Sequence, residues 1–258
     1  MANETTTRRI EIETADGICR TELFVPAGGG QRPAVIALTD AGGLRPAQAH
    51  IAERIASWGY VVFQPDLFHR SPPIVTLLGN DADAPVGRIF GDRALRARFM
   101  AEYYAPALDY GNLERTIGAL LDHIEGRADV EGGVATTGYC MGGNASVRAA
   151  TLFGARIAAT AAFHPGGLVT DQPNSPHTRA SRIRSRVYLA PALGDLPPEA
   201  EAKLRAELDA GHVRYEIEHY EARHGYAVED DERNDAAAAQ RHYAALERFF
   251  GETLRAGA

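Results

Sequence analysis

The chain alternates between stretches with strand-like and stretches with helix-like spacing of apolar residues. Polar and apolar residues alternate one by one over RRIEIETADGICRTELFVPA, on both sides of a turn signal at residues 15–17. This period of two, interrupted by a turn, predicts an antiparallel hairpin over residues 8–25. Nearly continuous apolar runs follow at 34–40 and 60–66, and such runs are typical of strands covered on both faces.

Helical spacing separates the strands that follow. PAQAHIAERIASWGY has apolar residues three or four positions apart, with Pro46 early in the helix and Gly59 at its end. The segment 71–92 is rich in Pro, Gly and Asp and is predicted as a loop. Further helices are predicted near 93–104 and 109–126 and over GGNASVRAATLF, PPEAEAKLRAELDA and DAAAAQRHYAALERFF; further strands are predicted over VATTGY, IAATAAFHP, RVYLAPAL and YEIEHYE.

This alternation predicts an α/β fold. Strands that are separated by helices pair in parallel through right-handed crossovers, so we expect a mostly parallel central sheet with helices on both faces. A chain of 258 residues with 45% hydrophobic composition fits one large domain, which we place over residues 1–258.

Composition and charge exclude several classes of partner. The 27 Lys and Arg residues stand against 34 Asp and Glu, and no stretch combines clustered basic residues with aromatic ones as a nucleic-acid surface would. No apolar run approaches the roughly 18 residues of a membrane span, and the N-terminal MANETTTRRIEIE lacks the apolar core of a signal peptide. We therefore predict a cytoplasmic protein that binds neither nucleic acid nor membrane.

Two cysteines occur, Cys19 and Cys140, with neither a CxxC motif nor a Cys/His metal spacing. We expect both to be thiols, with no disulfide, metal or cofactor. Cys19 reads as a small apolar residue within the hairpin.

Cys140 lies in GYCMGGN, residues 138–144, which has the spacing of a nucleophile elbow, G-x-S-x-G, with a thiol in place of the serine hydroxyl. Small residues at Gly138, Gly142 and Gly143 would allow the chain to reverse sharply between strand and helix. The first turn of a helix favours a thiolate, so the position itself activates the cysteine. A buried structural cysteine and a phosphate-binding turn are the alternatives.

A catalytic triad on such a fold follows the chain order nucleophile, acid, histidine, with each residue placed after a later strand. RVYLAPAL runs into Asp195, and YEIEHYE runs into EARHGYAV with His224. We therefore predict Asp195 and His224 as the partners of Cys140. A turn or helix-capping residue is the alternative for Asp195, and Asp171 and Glu199 are its rivals as the acid.

His164, in FHPGG, ends the strand after the elbow and is predicted to line the pocket. It precedes the acid in the chain and therefore breaks the order expected of the catalytic histidine. Four further histidines fall within predicted helices or strands and are interpreted as surface or packing residues: His123, His212, His219 and His242.

With these residues placed, nearly the whole sequence resembles the dienelactone hydrolase family. The resemblance is carried by four segments in order, DAGGLRP, GYVVFQPDLFHR, GYCMGG and HGYAV. It implies an α/β-hydrolase fold, with Cys140 as nucleophile, His224 as base and Asp195 as the residue that orients the histidine. It also implies an oxyanion hole formed by the backbone N–H groups of Ala41 and Met141.

The sequence departs from the family at residues that would handle the substrate. Asp40 stands where the dienelactone enzymes have a glutamate that contacts the resting cysteine, so we expect it to face Cys140; an aspartate that only shapes the turn is the alternative. Those enzymes also hold a substrate carboxylate with two arginines, one of which is replaced here by Val228. Tyr226 is a further predicted substrate contact. The other arginine falls in a helical stretch with three candidates, whose alternative role is a solvated helix face: Arg93, Arg96 and Arg98.

These observations predict a hydrolase that cleaves a small lactone or activated carboxylic ester through a thioacyl-enzyme. A thiolate is a strong nucleophile but also a good leaving group, so it suits substrates that are already activated. A thioesterase or acyl-transfer enzyme with the same triad is one alternative, and a non-catalytic small-molecule binding protein is another. We expect a monomer or homodimer, and the sequence leaves open whether residues 71–92 form a lid.

Overall fold

The computed structural model describes residues 4–79 and 85–254. The strands of these residues are β1 (Thr5–Thr14), β2 (Gly17–Pro26), β3 (Arg32–Leu38), β4 (Val61–Pro65), β5 (Val130–Tyr139), β6 (Ala159–Phe163), β7 (Arg186–Ala190) and β8 (Tyr215–Ile217). They form one sheet in the order β1-β2-β4-β3-β5-β6-β7-β8. β2 pairs antiparallel with β1 and β4, and all later neighbours pair in parallel. The predicted mostly parallel sheet with an antiparallel hairpin is therefore confirmed.

The helices connect these strands and cover the sheet. They are α1 (Pro46–Ser57), α2 (Val75–Leu78), α3 (Pro85–Gly91), α4 (Arg93–Phe99), α5 (Ala105–Leu108), α6 (Tyr110–Glu125), α7 (Met141–Phe153), α8 (Pro198–Ala210) and α9 (Ala236–Leu254). A π-helical turn, Met100–Tyr104, joins α4 to α5, and 3-10 turns lie at Gly154–Arg156 and Pro176–Arg182.

The hairpin closes at Thr14 and Gly17, as the turn signal predicted. Asp16, at its tip, accepts hydrogen bonds from Arg70 at 2.6 Å and Arg115 at 2.7 Å. The hydrogen bond from Arg70 is the largest influence on the Asp16 carboxyl, and it holds the pKa of that group well below its usual range. The tip of the hairpin is thereby tied to α6.

Both faces of the sheet are buried, which explains the continuous apolar runs of its central strands. Along β3, Ile36 packs in the core on the side of α6 and α7, whereas Val35 packs on the opposite side with α1 and α9. Along β4, Phe63 and Val62 divide between the same two faces. Because successive side chains of a strand point to opposite faces, both faces need apolar residues when both are covered.

The predicted loop at 71–92 is wrong in part, because it contains α2 and α3. Residues 80–84 lie outside the described residues. Leu77, Leu78, Val86 and Ile89 of these short helices are buried in the core. These apolar contacts hold a helical backbone in spite of the breaker-rich composition, so tertiary packing outweighed local propensity.

Cys19 is fully buried in the core beneath the hairpin, and burial raises the pKa of its thiol to about 12. Both cysteines are free thiols. Within residues 4–79 and 85–254, no group of three or more His, Cys, Asp or Glu side chains is arranged to hold a metal ion. Over the same residues no helix is both long enough and apolar enough to cross a membrane.

Candidate active site

Cys140 lies at the turn between β5 and α7, with the backbone strain expected of a nucleophile elbow. Its φ of 53° and ψ of −114° lie outside the regions that residues with side chains ordinarily adopt. The turn is so tight that a Cβ on Gly138 would lie 2.1 Å from the Gly142 carbonyl oxygen, and a Cβ on Gly142 would lie 2.1 Å from the Leu38 oxygen. The two glycines therefore allow the helix to begin directly against the ends of β3 and β5.

The predicted acid and histidine are hydrogen-bonded to each other. His224, in the loop after β8, makes a 2.8 Å bond between its Nδ1 and Oδ1 of Asp195, which follows β7. The other Asp195 oxygen accepts the Ala192 N–H at 3.1 Å, which fixes the carboxylate. The Cys140 side chain lies close enough to the His224 ring to raise the pKa of that ring. Three residues that are distant in the sequence thus lie together at the carboxyl edge of the parallel strands.

The surroundings of His224 favour its charged form. Burial lowers the pKa of His224, but the hydrogen bond with Asp195, followed by the proximity of Cys140, raises it to a net value of about 10. The side chain is 26% exposed, so the ring reaches solvent while its Nδ1 faces a buried carboxylate. Asp195 and Cys140 therefore both favour the imidazolium over the neutral ring.

The rival acids lie elsewhere. Asp171 is exposed in the segment after β6, and Glu199 lies in the first turn of α8. The 2.8 Å contact with His224 belongs to Asp195. The geometry therefore favours Asp195 over both rivals as the partner of the histidine.

The loop after β3 packs directly against the elbow. Ala41, in this loop, is fully buried. Met141 is the first residue of α7, so no carbonyl of the same helix can accept its N–H. A Cβ on Gly142 would lie 2.5 Å from the Thr39 oxygen, which shows how closely the two segments approach. The two predicted oxyanion donors therefore belong to segments in contact.

Asp40 is bound to its own loop and to Arg45. One carboxylate oxygen accepts the Gly42 N–H at 2.8 Å and Arg45 Nη1 at 2.6 Å, and the other accepts Arg45 Nη2 at 2.9 Å. Both oxygens are occupied by strong donors, and a thiol is a weaker partner than a guanidinium. These contacts support the turn-shaping alternative for Asp40 and give no support to the predicted contact with Cys140.

Arg45 also joins this loop to the segment that follows His224. Its Nε and Nη2 donate to the two oxygens of Asp230 at 2.6 and 2.7 Å. The side chains of Arg45 and Asp40 are only 9% and 4% exposed. Burial lowers the pKa of Arg45, but Asp230 and Asp40 outweigh burial and raise it. We call Asp40, Arg45 and Asp230 the Arg45 clamp.

His164 and Tyr226, which were predicted to contact a ligand, are both fully buried and lie behind the His224 ring. The centroid of the His164 ring is 5.0 Å from that of His224 and 5.1 Å from that of Tyr226. The Tyr226 hydroxyl donates to the Ala190 oxygen at 3.1 Å. Burial holds the pKa of His164 well below its usual value, so the ring is neutral. The two side chains support His224 from the core and present no exposed surface to a ligand.

The arginines expected to hold a substrate carboxylate are on the surface. Arg93 and Arg96 are exposed on α4, and their neighbour Arg98 pairs with Glu102. These positions fit the alternative of a solvated helix face. Val228, at the position of the family's other arginine, is fully buried in the core against α1 and α9, so it does not form an apolar pocket wall.

Sequence reasoning missed the arginines that surround the site. Arg45 lies within the DAGGLRP segment, but its partner Asp230 is 185 residues away, and no sequence signal links them. Arg233 donates to both oxygens of Asp231 at 2.7 Å and lies within electrostatic range of Cys140. No motif distinguishes the charge run at 229–233 in the sequence, and only the fold brings its Asp230 to Arg45.

Comparisons with known proteins agree with this architecture. The model of the dienelactone hydrolase family matches residues 19–254. A relative from Synechocystis sp. named "Putative carboxymethylenebutenolidase" is 25% identical over 239 residues, which cover 90% of this chain and 91% of that protein.

Solved structures share the fold. That of a "Putative Dienelactone Hydrolase" from Klebsiella pneumoniae has a TM-score of 0.79 at 17% identity and covers 97% of this chain and 100% of its own. A dienelactone hydrolase from Anabaena variabilis has a TM-score of 0.65 at 15% identity, over 97% and 99% of the two chains. The predicted α/β-hydrolase fold is confirmed, and the family match over most of its length shows that this chain belongs to the dienelactone hydrolase family.

Proposed function

We propose that this protein hydrolyses small lactones or activated carboxylic esters with Cys140 as the nucleophile. The observation that carries the proposal is the hydrogen-bonded pair of His224 and Asp195 beside Cys140, which lies at a strained strand-to-helix turn. A nucleophile beside a histidine that a carboxylate orients is the arrangement that acyl transfer requires. Membership of a hydrolase family supports the same class of reaction.

The first half-reaction forms a thioester with the enzyme. The Cys140 thiol gives its proton to His224 as its sulfur attacks the carbonyl carbon of the substrate. The N–H groups of Ala41 and Met141 then hold the oxyanion of the tetrahedral intermediate, and each such donor contributes about 3–4 kcal/mol to the transition state. As the intermediate collapses, the C–O bond to the leaving group breaks and His224 gives its proton to the departing oxygen.

The second half-reaction returns the free enzyme. A water molecule loses a proton to His224 as it attacks the thioester carbonyl, and the same two N–H groups hold the second oxyanion. The C–S bond then breaks and the acid leaves. Asp195 orients His224 and stabilises its charged form in both halves, because its carboxylate accepts the Nδ1 proton.

The thiol also bears on the substrate class. A thiolate leaves a tetrahedral intermediate more readily than an alkoxide or an amide anion, so unactivated alkyl esters and amides return to starting material. Enol esters, strained lactones and aryl esters have leaving groups that carry the intermediate forward. We therefore expect activated acyl substrates and no proteolysis.

The direct test is to trap the acyl group on the protein. Mixing with p-nitrophenyl acetate should give a burst of p-nitrophenol and an acetyl adduct that peptide mass spectrometry places on Cys140. Cys140→Ala should form no adduct and lose about 10³-fold or more in kcat. Full turnover by Cys140→Ala would contradict the assignment.

A matched pair of variants tests which aspartate acts as the acid of the proposed triad. Asp195→Asn should lower kcat strongly, whereas Asp171→Asn, at an exposed position, should leave it unchanged. The reverse result would transfer the acid to Asp171. The monomeric or dimeric state, the cytoplasmic location and the absence of a cofactor stay predictions from the sequence.

A further inference from the structure

Two arginines, one on α7 and one on a nearby turn, have no carboxylate partner within residues 4–79 and 85–254. Arg148, on α7, is 6% exposed, and its Nη1 has no hydrogen-bond partner. Arg179, in the 3-10 turn Pro176–Arg182, is half-buried. Among the residues that the structure describes, neither guanidinium forms a salt bridge. Such a buried cation is costly because burial removes the hydration that its charge requires.

Both guanidiniums pack on one aromatic ring. The Cζ atoms of Arg148 and Arg179 lie 4.6 and 4.0 Å from the centroid of the Tyr110 ring. Tyr110 is itself 9% exposed, and its buried hydroxyl has no partner among the described residues. Three side chains in contact therefore hold two buried unsatisfied polar groups and two positive charges.

The neighbouring groups do not neutralise this charge. Burial lowers the pKa of Arg148, and the charge of Arg179 acts in the same direction. Asp109 acts in the opposite direction, but it is an exposed cap of α6 and carries one negative charge against two positive ones. The cluster keeps an excess of positive charge that a bound anion would balance.

We propose that Arg148, Arg179 and Tyr110 form a binding site for a small oxyanion, either a carboxylate or a phosphate. A guanidinium donates through a planar fork of N–H groups that matches the oxygens of these anions. The tyrosine hydroxyl adds a further donor, and contacts with this hydroxyl and with Arg148 Nη1 would satisfy two groups that are now buried without a partner among the described residues. We call these three residues the Tyr110 site.

The position of Arg148 is fixed from the nucleophile helix. Its Nε donates to Asn144 Oδ1 at 2.7 Å, and Asn144 lies one turn after Cys140 on α7. The Asn144 amide in turn donates to the backbone oxygens of Gly166 and Gly167 at 2.8 and 3.0 Å. The orientation of the guanidinium is therefore set before any ligand binds.

The same glycine pair joins the Tyr110 site to the wall of the proposed active site. A Cβ on Gly166 would lie 3.7 Å from His224 Cε1, and a Cβ on Gly167 would lie 3.8 Å from the Tyr104 hydroxyl. Burial raises the pKa of Tyr104 to about 12, and the nearby charge of Cys140 acts in the same direction. The oxyanion is therefore either part of the substrate or a free anion beside it, and the first of these rests on the proposed function.

Binding of the anion can be tested without catalysis. Sodium phosphate and sodium acetate are titrated into the protein by calorimetry at ionic strength held constant with NaCl. Wild type should bind at least one of them, Arg179→Met should weaken that binding about tenfold or more, and Tyr110→Phe should weaken it several-fold. Arg182→Met is the matched control. Arg182 is an exposed residue of the same turn, so its substitution removes the same charge outside the proposed site. Absence of binding to wild type, or equal binding by Arg179→Met and Arg182→Met, would overturn the proposal.

Kinetic measurements with two esters distinguish an anion that is part of the substrate from a free anion. If the substrate carries it, Arg179→Met should raise KM for mono-p-nitrophenyl succinate and leave p-nitrophenyl acetate unchanged, with phosphate competing against the succinate ester. If the anion is free, phosphate should act on both esters without competing with either. If Cys140 proved not to be the nucleophile, the calorimetric measurement of anion binding would be unaffected. The two proposals can therefore be refuted independently.

Discussion

Two segments meet at the proposed oxyanion hole, and they are held in different ways. The elbow at 138–143 is held by close backbone contacts that only glycine permits, some within the turn and some with Leu38 and Thr39 at the end of β3. The loop at 40–45 is fixed by the Arg45 clamp, whose Asp230 belongs to a different part of the chain.

The two segments differ in whether a short stretch of sequence or a set of distant residues determines their structure. The glycines that the elbow requires lie within six residues of the chain, so a short motif reveals it even though Gly142 contacts β3. The clamp is specified by side chains that meet only after the sheet has formed, and single charged residues carry no signal of their partner. Mutations should therefore act on the elbow through steric overlap and on the clamp through an uncompensated charge.

The largest effect is expected at the elbow. Gly142→Ala places a Cβ 2.1 Å from the Leu38 oxygen, and backbone atoms cannot yield as a flexible side chain can. We expect a loss of about 4 kcal/mol or more in the free energy of unfolding, or no folded protein. Urea denaturation measures the loss, and a variant with wild-type stability would show that the turn is looser than its geometry indicates.

The next effect is expected from the clamp. Arg45→Met leaves the Asp40 carboxylate buried without its partner, at a cost of about 3 kcal/mol in unfolding free energy. Adding Asp40→Asn should recover about 1–2 kcal/mol, because the uncompensated charge is then removed. Urea denaturation of the single and double variants checks this coupling, and strict additivity would mean that the two side chains do not act together.

A smaller, pH-dependent effect separates the clamp from the His224–Asp195 pair. The pKa of His224 rises from 6.5 to about 10 on folding, so its contribution to stability is fully present below pH 6.5 and is lost as pH rises through 10. The difference in unfolding free energy between wild type and Asp195→Asn, about 2 kcal/mol at low pH, should shrink across this window. The difference between wild type and Arg45→Met should stay flat there, because Arg45 remains protonated. Parallel pH profiles for the two variants would contradict this distinction.

The smallest effect has the opposite sign and tests the steric argument itself. Gly251, in α9, has open space where a Cβ would be placed. Gly251→Ala should therefore raise the unfolding free energy by about 0.5–1 kcal/mol, because alanine loses less conformational freedom in a helix. Gly251→Ala and Gly142→Ala are measured in the same denaturation series. If Gly251→Ala were also destabilised, steric crowding would not explain the different effects of the two substitutions.

Much of the fold could be predicted from the sequence. The hairpin, the buried strands and the long helices follow from periodicity, because each pattern reflects the faces that its element must bury. The short helices within 71–92 could not be predicted, since Pro- and Gly-rich composition indicates a loop and only packing of residues such as Leu77 and Ile89 against the core holds them.

Some features of the candidate site could likewise be predicted from the sequence, and others could not. The proximity of Cys140, Asp195 and His224 could be predicted because each follows a predicted strand, and parallel strands bring their carboxyl ends to one edge of the sheet. Their catalytic roles stay proposals. Arg93 and Arg96 were chosen from their helical stretch alone, and sequence spacing does not show which face of a surface helix turns toward a pocket. The predicted roles of Ala41 and Met141 stay proposals that the trapped thioester and its kinetics would test.

The sequence by itself determined the α/β alternation, the strained turn at Cys140 and the order of its two partners, because these depend on neighbouring residues and on strand order. Only the tertiary structure decided that Asp40 turns to Arg45 and that His164 lies in the core. It also decided that Arg148 and Arg179 pack on Tyr110, with no salt bridge to either in the part of the chain that the structure describes. The physical reason is that ion pairs and burial depend on distances in space, which a single sequence does not encode for isolated charged residues.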